Sequence, residues 1–326
     1  MQHSRSLRLK FLLSILTLSL IACTLMAPPK PESSPLRVVY DPWPGFLPIL
    51  IAQEKGFFTQ QGVKVEAVFT KNAAEKIPEF GAGNYDGITL ALGNVLTSSA
   101  TNPNITIILA TDISAGADAA IAQPPVLTMG DLKGKIVGTH LGGFGELFVS
   151  TMLEINGMKA DDITLTNATG EQILPLVQSD KIQAGHTWEP YVSQAVKAGL
   201  RVLFTSEQTS GLIPDVIVFQ GSVLRNRPND VLAFVRAWFQ AVDYWKANPK
   251  QGNALIAKAL KLEPEAISLE GVKLLTLSGN RQAFTSGTTT ESLHYTTQLY
   301  SNFFARTGNL NRLPDLKQLL NSSFLQ

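Results

Sequence analysis

Four histidines and a single cysteine bound the covalent and metal chemistry open to this chain. His3, His140, His186 and His294 share no ligand spacing such as H-E-x-x-H. No G-x-S-x-G elbow, G-x-G-x-x-G fingerprint or Walker lysine occurs, so neither acyl transfer from serine nor phosphoryl transfer is indicated. What does recur is carboxylates, aromatic rings and glycine turns at the ends of apolar runs. Trp43 stands in Asp41-Pro42-Trp43-Pro44-Gly45. Gly93-Asn94 follows one run, and Asp112 and Ser114 sit in Asp112-Ile113-Ser114-Ala115-Gly116-Ala117-Asp118. Gly143-Phe144 lies in a glycine-rich turn, Trp188-Glu189 ends another run, and Asp215 begins the last. Two facing acids, Asp112 and Glu189, fit an inverting glycosidase only loosely, because nothing in the sequence marks a general-acid environment. The same groups suit non-covalent recognition: rings stack on a solute, turn amides meet anions or carbonyls, and carboxylates meet ammonium or amide groups.

Each of these residues also has a purely structural reading. Trp43 fits a core or staple, and Asp112 can be capped internally by backbone amides, since an unpaired buried charge is costly. Glu189 can cap the following helix, and the turn at 142–145 can be plain strand-to-helix packing. Asp86, in Gly83-Asn84-Tyr85-Asp86, reads first as a turn or cap residue.

The elements that must carry these groups alternate between strand and helix. Residues 36–40 form an apolar, β-branched strand, stopped at 41–45 by prolines and a glycine. Leu47, Leu50 and Ile51 have helical spacing up to Gly56, and 63–69 alternate as a second strand. Further expectations are a helix over 73–80, a strand over 85–92, a helix over 95–100 and a buried strand over 105–111. Residues 119–123 read as a crossover strand. After it, Asp131-Leu132-Lys133-Gly134-Lys135 opens an aliphatic strand at 136. Helices over 146–156 and 171–179 alternate with strands over 161–167, 182–187 and 200–204, and the chain crosses back near 214–220. The last third is helical: Leu232, Val235, Trp238, Phe239 and Val242 form a stripe suited to a core. A helix is expected from Pro264 to residue 277, a loop over 279–284, and helices over 291–306 and 313–320.

Net charge is +1, with 44% hydrophobic and 16% charged residues, which excludes the strongly basic surface a nucleic-acid partner requires. Arg5, Arg8 and Lys10 precede an apolar run at 11–22 that is too short to span a bilayer and ends at Cys23. A small residue directly before a solitary cysteine reads as a lipobox: residues 1–22 are expected to be a lipoprotein signal peptide, and Cys23 the lipid attachment site. The Pro/Ser-rich stretch 23–35 reads as a flexible tether. A conventional signal peptide with a chance thiol is the plainer alternative.

Several phrases together resemble one family. Trp43-x-Gly45-x-x-Pro48, Ala52-x-Glu54-Lys55-Gly56-Phe57-Phe58, Gln61-Gly62-Val63-x-Val65, Gly83-x-x-Asp86 and the run 112–118 look like the substrate-binding proteins of nitrate/sulfonate/taurine ABC importers. Relatives of those proteins bind thiamine-type pyrimidines and riboflavin. The resemblance implies a two-lobed α/β fold of the type II periplasmic binding protein, with two mixed sheets and a hinge of two crossover segments. Lobe one would be 36–120 plus 217–326, and lobe two 121–216. It further implies capture of a small polar solute, without cofactor, metal or nucleic acid, by a monomer that partners an ABC permease and its ATPase. The protein would lie in the periplasm or at the cell surface, held to the membrane through Cys23. The ligand-binding residues would be Trp43, Gly45, Gly93, Asn94, Asp112, Ser114, Gly143, Phe144, Trp188, Glu189 and Asp215. So many carboxylates suit a taurine-like zwitterion or an aminopyrimidine better than a simple anion. A periplasmic enzyme acting on a small carbon acid or a pyrimidine, or a solute sensor, is the alternative.

Overall fold

The computed structural model describes residues 34–326 except 72 and 313; the signal segment, Cys23 and most of the tether lie outside the described residues. Eleven strands form two sheets among these residues. β1 (Leu36–Tyr40) is buried almost throughout, as its aliphatic run requires. Proline at the start of a 3-10 turn (Pro44–Phe46) needs no donor there, and the chain then enters α1 (Pro48–Glu54) and α2 (Phe57–Gln60). Next come β2 (Val65–Phe69), α3 (Ala73–Gly81), β3 (Gly87–Ala91), α4 (Leu92–Thr101) and β4 (Ile105–Ser114). β3 passes into α4 with no intervening loop, which sets Gly93 and Asn94 directly at a strand's carboxyl end.

The following stretch builds the second sheet. β5 (Asp118–Ala122), β6 (Ile136–Thr139), α5 (Phe144–Ile155), β7 (Thr164–Asn167), α6 (Gly170–Gln178), β8 (Ala184–Trp188), α7 (Tyr191–Lys197) and β9 (Arg201–Thr205) succeed one another. The chain then returns with β10 (Pro214–Gln220), α8 (Gly221–Asn226), α9 (Pro228–Ala247), α10 (Pro249–Leu260), β11 (Val272–Leu274), α11 (Leu277–Ala283), α12 (Leu293–Thr307) and α13 (Leu316–Leu319). The first sheet runs β11-β4-β10-β3-β1-β2 and the second β7-β6-β8-β5-β9. Each has a parallel part (β2, β1 and β3; β7, β6 and β8) extended by antiparallel strands, chiefly β10 in one and β5 in the other.

Sheet membership moves both crossings. Residues 119–122 are not a connector: β5 pairs antiparallel with β8 and β9, so the chain has already changed sheets by Asp118. The first crossing is therefore residues 115–117, where the amides of Ala115 and Ala117 donate to the Gly271 carbonyl at 2.7 and 3.2 Å. β10 pairs with β3 and β4 from Pro214 onward, which puts the return between β9 and residue 214. An aliphatic run of five reads alike as connector or central strand, and only its partners decide.

The C-terminal third departs from expectation at two places. Pro264 starts only a 3-10 turn (Pro264–Ala266), and β11 follows because three residues find an edge on β4. The expected loop at 279–284 is helix α11, with the Thr276 hydroxyl accepting from the Gly279 amide. Its fully buried Asn280 brackets a β4 irregularity, accepting from the Ala110 amide at 2.7 Å and donating to the Ala110 carbonyl at 2.8 Å. Val235, Trp238 and Val242 of α9 are core, as the stripe predicts.

Candidate functional site

A cavity of about 280 Å³ opens between the two sheets. Trp43, Phe46, Lys76, Leu90, Asn94 and Asp215 belong to the first-sheet side; His140, Phe144, Thr169, Glu171 and Trp188, with Asp118 at the crossing, belong to the second. All these strand and turn ends converge there, which is where open α/β sheets bind ligands.

The first-sheet wall is a closed polar network. Lys76 of α3 is buried, and its ammonium donates to Asp41 Oδ2 at 2.5 Å and to the Thr89 carbonyl at 2.6 Å. The same ammonium lies 5.1 Å from the centre of the Phe46 ring. Asp41 in turn accepts the Trp43 amide at 3.2 Å. The Trp43 indole N–H donates into the fork of Asp112, 3.1 and 3.2 Å from its two oxygens, and the Thr111 hydroxyl donates to Asp112 at 2.7 Å. Asp215 and Asp112 face one another across β10 and β4. Burial is the main force on this pair: it pushes Asp112 up to about 7 and Asp215 well above the usual carboxylate range. The neighbouring Asp112, Asp118 and Asp41 carboxyls raise Asp215 further, whereas hydrogen bonds from Thr111, Trp43 and Asp215 favour the charged form of Asp112. The two acids titrate as a pair, and burial keeps that pair protonated to higher pH than isolated carboxylates.

The second-sheet wall is aromatic. Phe144 and Trp188 have ring centres 5.6 Å apart, and His186 sits edge-on behind Phe144 at 5.3 Å. His186 Nε2 lies 2.9 Å from Asp118 Oδ1, the imidazole donating to the carboxylate and so fixing its other oxygen relative to the cavity. Gly145 lets this ring approach: a Cβ there would lie 2.5 Å from His186 Nδ1. Burial holds His140 below its ordinary range, with the nearby His186 adding to the effect.

Among the residues singled out from sequence, Trp43, Asn94, Phe144, Trp188 and Asp215 line this cavity. Asp112 stands behind the wall, fully buried, and supports Trp43 and Asp215 instead of facing a solute. Gly45 packs on Asp112; a Cβ there would sit 1.7 Å from Asp112 Oδ2. Ser114 belongs to the crossing: its hydroxyl meets the Ser206 hydroxyl at 2.7 Å and accepts the Asp118 amide at 3.1 Å. Gly93 is a spacer whose Cβ would meet Tyr300 and Phe144. Gly143 keeps clear of His140 and Asn94. The turn it belongs to has its amides engaged: Gly142 donates to Glu146 at 2.7 Å, Gly143 to the His140 carbonyl at 3.3 Å and Phe144 to Asn94 Oδ1 at 3.2 Å. Glu189 accepts from the Ser193 amide and hydroxyl at 3.2 and 3.0 Å, which is the capping role. Sequence reasoning missed Lys76, Thr169 and Glu171, and named Asp41, Asp118 and His140 only as parts of motifs. A lysine followed by Ile77 and Pro78 was the one available signal.

The profile of the family described as NMT1/THI5 like matches residues 43–252. A putative binding protein of Brucella abortus is 26% identical over 246 residues, covering 73% of this chain and 76% of the relative. The 4-amino-5-hydroxymethyl-2-methylpyrimidine phosphate synthase THI11 of Saccharomyces cerevisiae is 24% identical over 226 residues, 64% of this chain and 66% of the relative. Among solved structures, the alkanesulfonate-binding protein SsuA of Xanthomonas axonopodis pv. citri, bound to MOPS, superposes with a TM-score of 0.74 at 14% identity, covering 90% of this chain and 100% of that one. The periplasmic nitrate-binding protein NrtA of Synechocystis PCC 6803 gives 0.71 at 14% identity, with 90% and 87% coverage. At such identities the likeness shows the fold, that of the periplasmic binding proteins, with two mixed α/β sheets.

Proposed function

The chain belongs to the NMT1/THI5-like family, and from that membership we propose that it is the extracytoplasmic substrate-binding component of an ABC importer. It captures a small polar solute between its two sheets and presents it to a permease coupled to an ATPase. The observation that carries this reading is the cavity itself: one space is walled by Trp43 on one side and Trp188 on the other. Two crossings join the sheets, as a hinge that closes on a ligand needs. The acid-rich lining leaves taurine-like zwitterions and amino-substituted nitrogen heterocycles as the suitable solute classes. The protein acts as a monomer, anchored outside the cytoplasmic membrane by a lipid on Cys23. No helix among the described residues is long and apolar enough to cross a membrane.

Native mass spectrometry of the protein purified from cells, joined to thermal-shift screening, tests the reading. A co-purifying small molecule, or saturable stabilisation by a small solute, supports it; the absence of both defeats it. Loss of lipid labelling in Cys23→Ser tests the anchor. The yeast relatives named as synthases motivate a second, enzymatic reading. Incubation with candidate pyrimidines followed by mass analysis separates the two, since a binding protein returns its solute unchanged.

A further inference from the structure

We propose that Asp118 and Asp215 form a subsite for the positively charged head of an organic solute: an amidinium, guanidinium or primary ammonium group held between carboxyls and aromatic faces. This rests on the binding-protein reading and narrows its solute class, setting simple anions aside.

The cationic groups and the glycine-turn amides that would receive an anion are already committed. Lys76, among the described residues the one lysine or arginine lining the cavity, has its ammonium engaged by Asp41, the Thr89 carbonyl and, at 3.5 Å, the Thr89 hydroxyl. Burial disfavours the charged form of His140. The Gly142–Phe144 amides, which a helix N-terminus offers to anions, already donate to Glu146, His140 and Asn94.

The acids, by contrast, have capacity to spare. Asp118 is 1% exposed and lines the cavity with only Oδ1 taken by His186. Asp215 is 5% exposed and lines the cavity, and among the described residues its carboxyl has no partner but Asp112. A carboxyl that lines a cavity with an oxygen uncommitted is open to a donor from outside. Glu171 adds a third acid to the lining, and the rings of Trp43, Phe46, Phe144 and Trp188 supply faces for cation–π contact. Among the described residues no three His, Cys, Asp or Glu side chains converge as ligands for a metal ion, so the complement is an organic cation. A planar amidinium or guanidinium matches paired carboxyl oxygens best, because its N–H groups lie in one fork.

Binding is linked to a proton. Asp215 faces Asp112 on β4, Asp118 on β5, Asp41 after β1, Lys76 on α3 and Tyr300 on α12. Burial keeps the Asp112–Asp215 pair protonated above the ordinary carboxylate range, and an arriving cation displaces a proton from it. Affinity for a cation therefore rises with pH through the neutral range, and a proton leaves on binding.

The test is calorimetric titration of the full chain with three probes of one aryl body: benzamidine, benzoate and benzenesulfonate, each at pH 6 and pH 8. Saturable binding of benzamidine alone is expected, several-fold tighter at pH 8, with proton release measured in buffers of different ionisation enthalpy. D118N and D215N should each weaken it tenfold or more. Should D118N fail to fold, D215N carries the same test, because its amide can still donate to Asp112. Saturable binding of benzoate or benzenesulfonate in place of benzamidine overturns the cationic subsite and leaves the binding-protein reading standing. If no probe binds and the protein from cells carries no small molecule, both readings fall.

Discussion

The two walls of the cleft reach rigidity by different means. On the first-sheet side the groups are charged or polar, and, Asn94 apart, they are locked to others of their own wall: Lys76 to Asp41, Trp43 to Asp112, Asp112 to Asp215. On the second-sheet side rings pack against rings, and the chief polar link is the His186–Asp118 pair, with Asp118 at its edge. A buried polar network tolerates almost no editing, since removing one partner strands the other in a low-dielectric site. A ring cluster loses packing when trimmed but strands no charge. Apart from Asp215, which also faces the solute, the first wall is thus a scaffold whose defects register as stability, and the second a lining whose defects register as affinity.

Removing the ammonium is the most severe way to break this contrast. Lys76→Met leaves Asp41 buried without its cation, and such a loss costs about 3–5 kcal/mol. Chemical denaturation should show a large drop in midpoint with an unchanged slope. A drop under about 1 kcal/mol would mean that the pair behaves as a surface ion pair and that the wall is not a closed network. Gly45→Ala ranks next. Its methyl would overlap the Asp112 carboxyl, so either the 3-10 turn carrying Trp43 or the acid pair must shift, at about 1–3 kcal/mol. Tryptophan fluorescence should report the displaced Trp43 alongside a lower Tm.

What sequence could and could not reveal follows the same division. Trp43, Asn94, Phe144, Trp188 and Asp215 were legible because strand ends and glycine turns mark the mouth of a sheet, and bulky or charged residues there are few. Asp112, Ser114 and Asp118 were legible only as a group. Which of them faces the cleft depends on strand register across the β4–β10 irregularities and on a chain that changes sheets at residues 115–117. Lys76 was hidden because a polar helix reads as a solvated face; its burial comes from Asp41 and Thr89, 35 and 13 residues away. The fold was more legible than the site: alternating strand and helix signals placed most elements, while β11 owes its existence to an edge on β4 that no local pattern encodes.

The acid pair gives a pH signature of intermediate size. Asp112 and Asp215 both have folded-state values above the ordinary carboxylate range, so the native state holds a proton that the unfolded chain has released. The stability they contribute is full below about pH 4 and is lost as pH rises through the folded value of Asp112, about 7. Asp215→Asn keeps a donor toward Asp112 without needing that proton. Melting curves from pH 5 to 8 should fall in the parent protein and flatten in the variant, which gains on the order of 1 kcal/mol at the alkaline end. Parallel curves would mean that the two acids do not titrate as a pair, and the first wall would lose its account.

Glu189→Gln should do least, and for that reason it sharpens the contrast between the walls. Glu189 follows Trp188 directly, but its side chain turns away from the cleft to the start of α7, where both oxygens accept from Ser193. Glutamine keeps one acceptor and loses only the interaction of a charge with the helix amides, about 0.3–1 kcal/mol. A small fall in Tm with unchanged solute affinity is the expected pair of results. A several-fold change in affinity would instead turn Glu189 toward the solute beside Asp118 and Glu171, and its reading as a cap of α7 would fail.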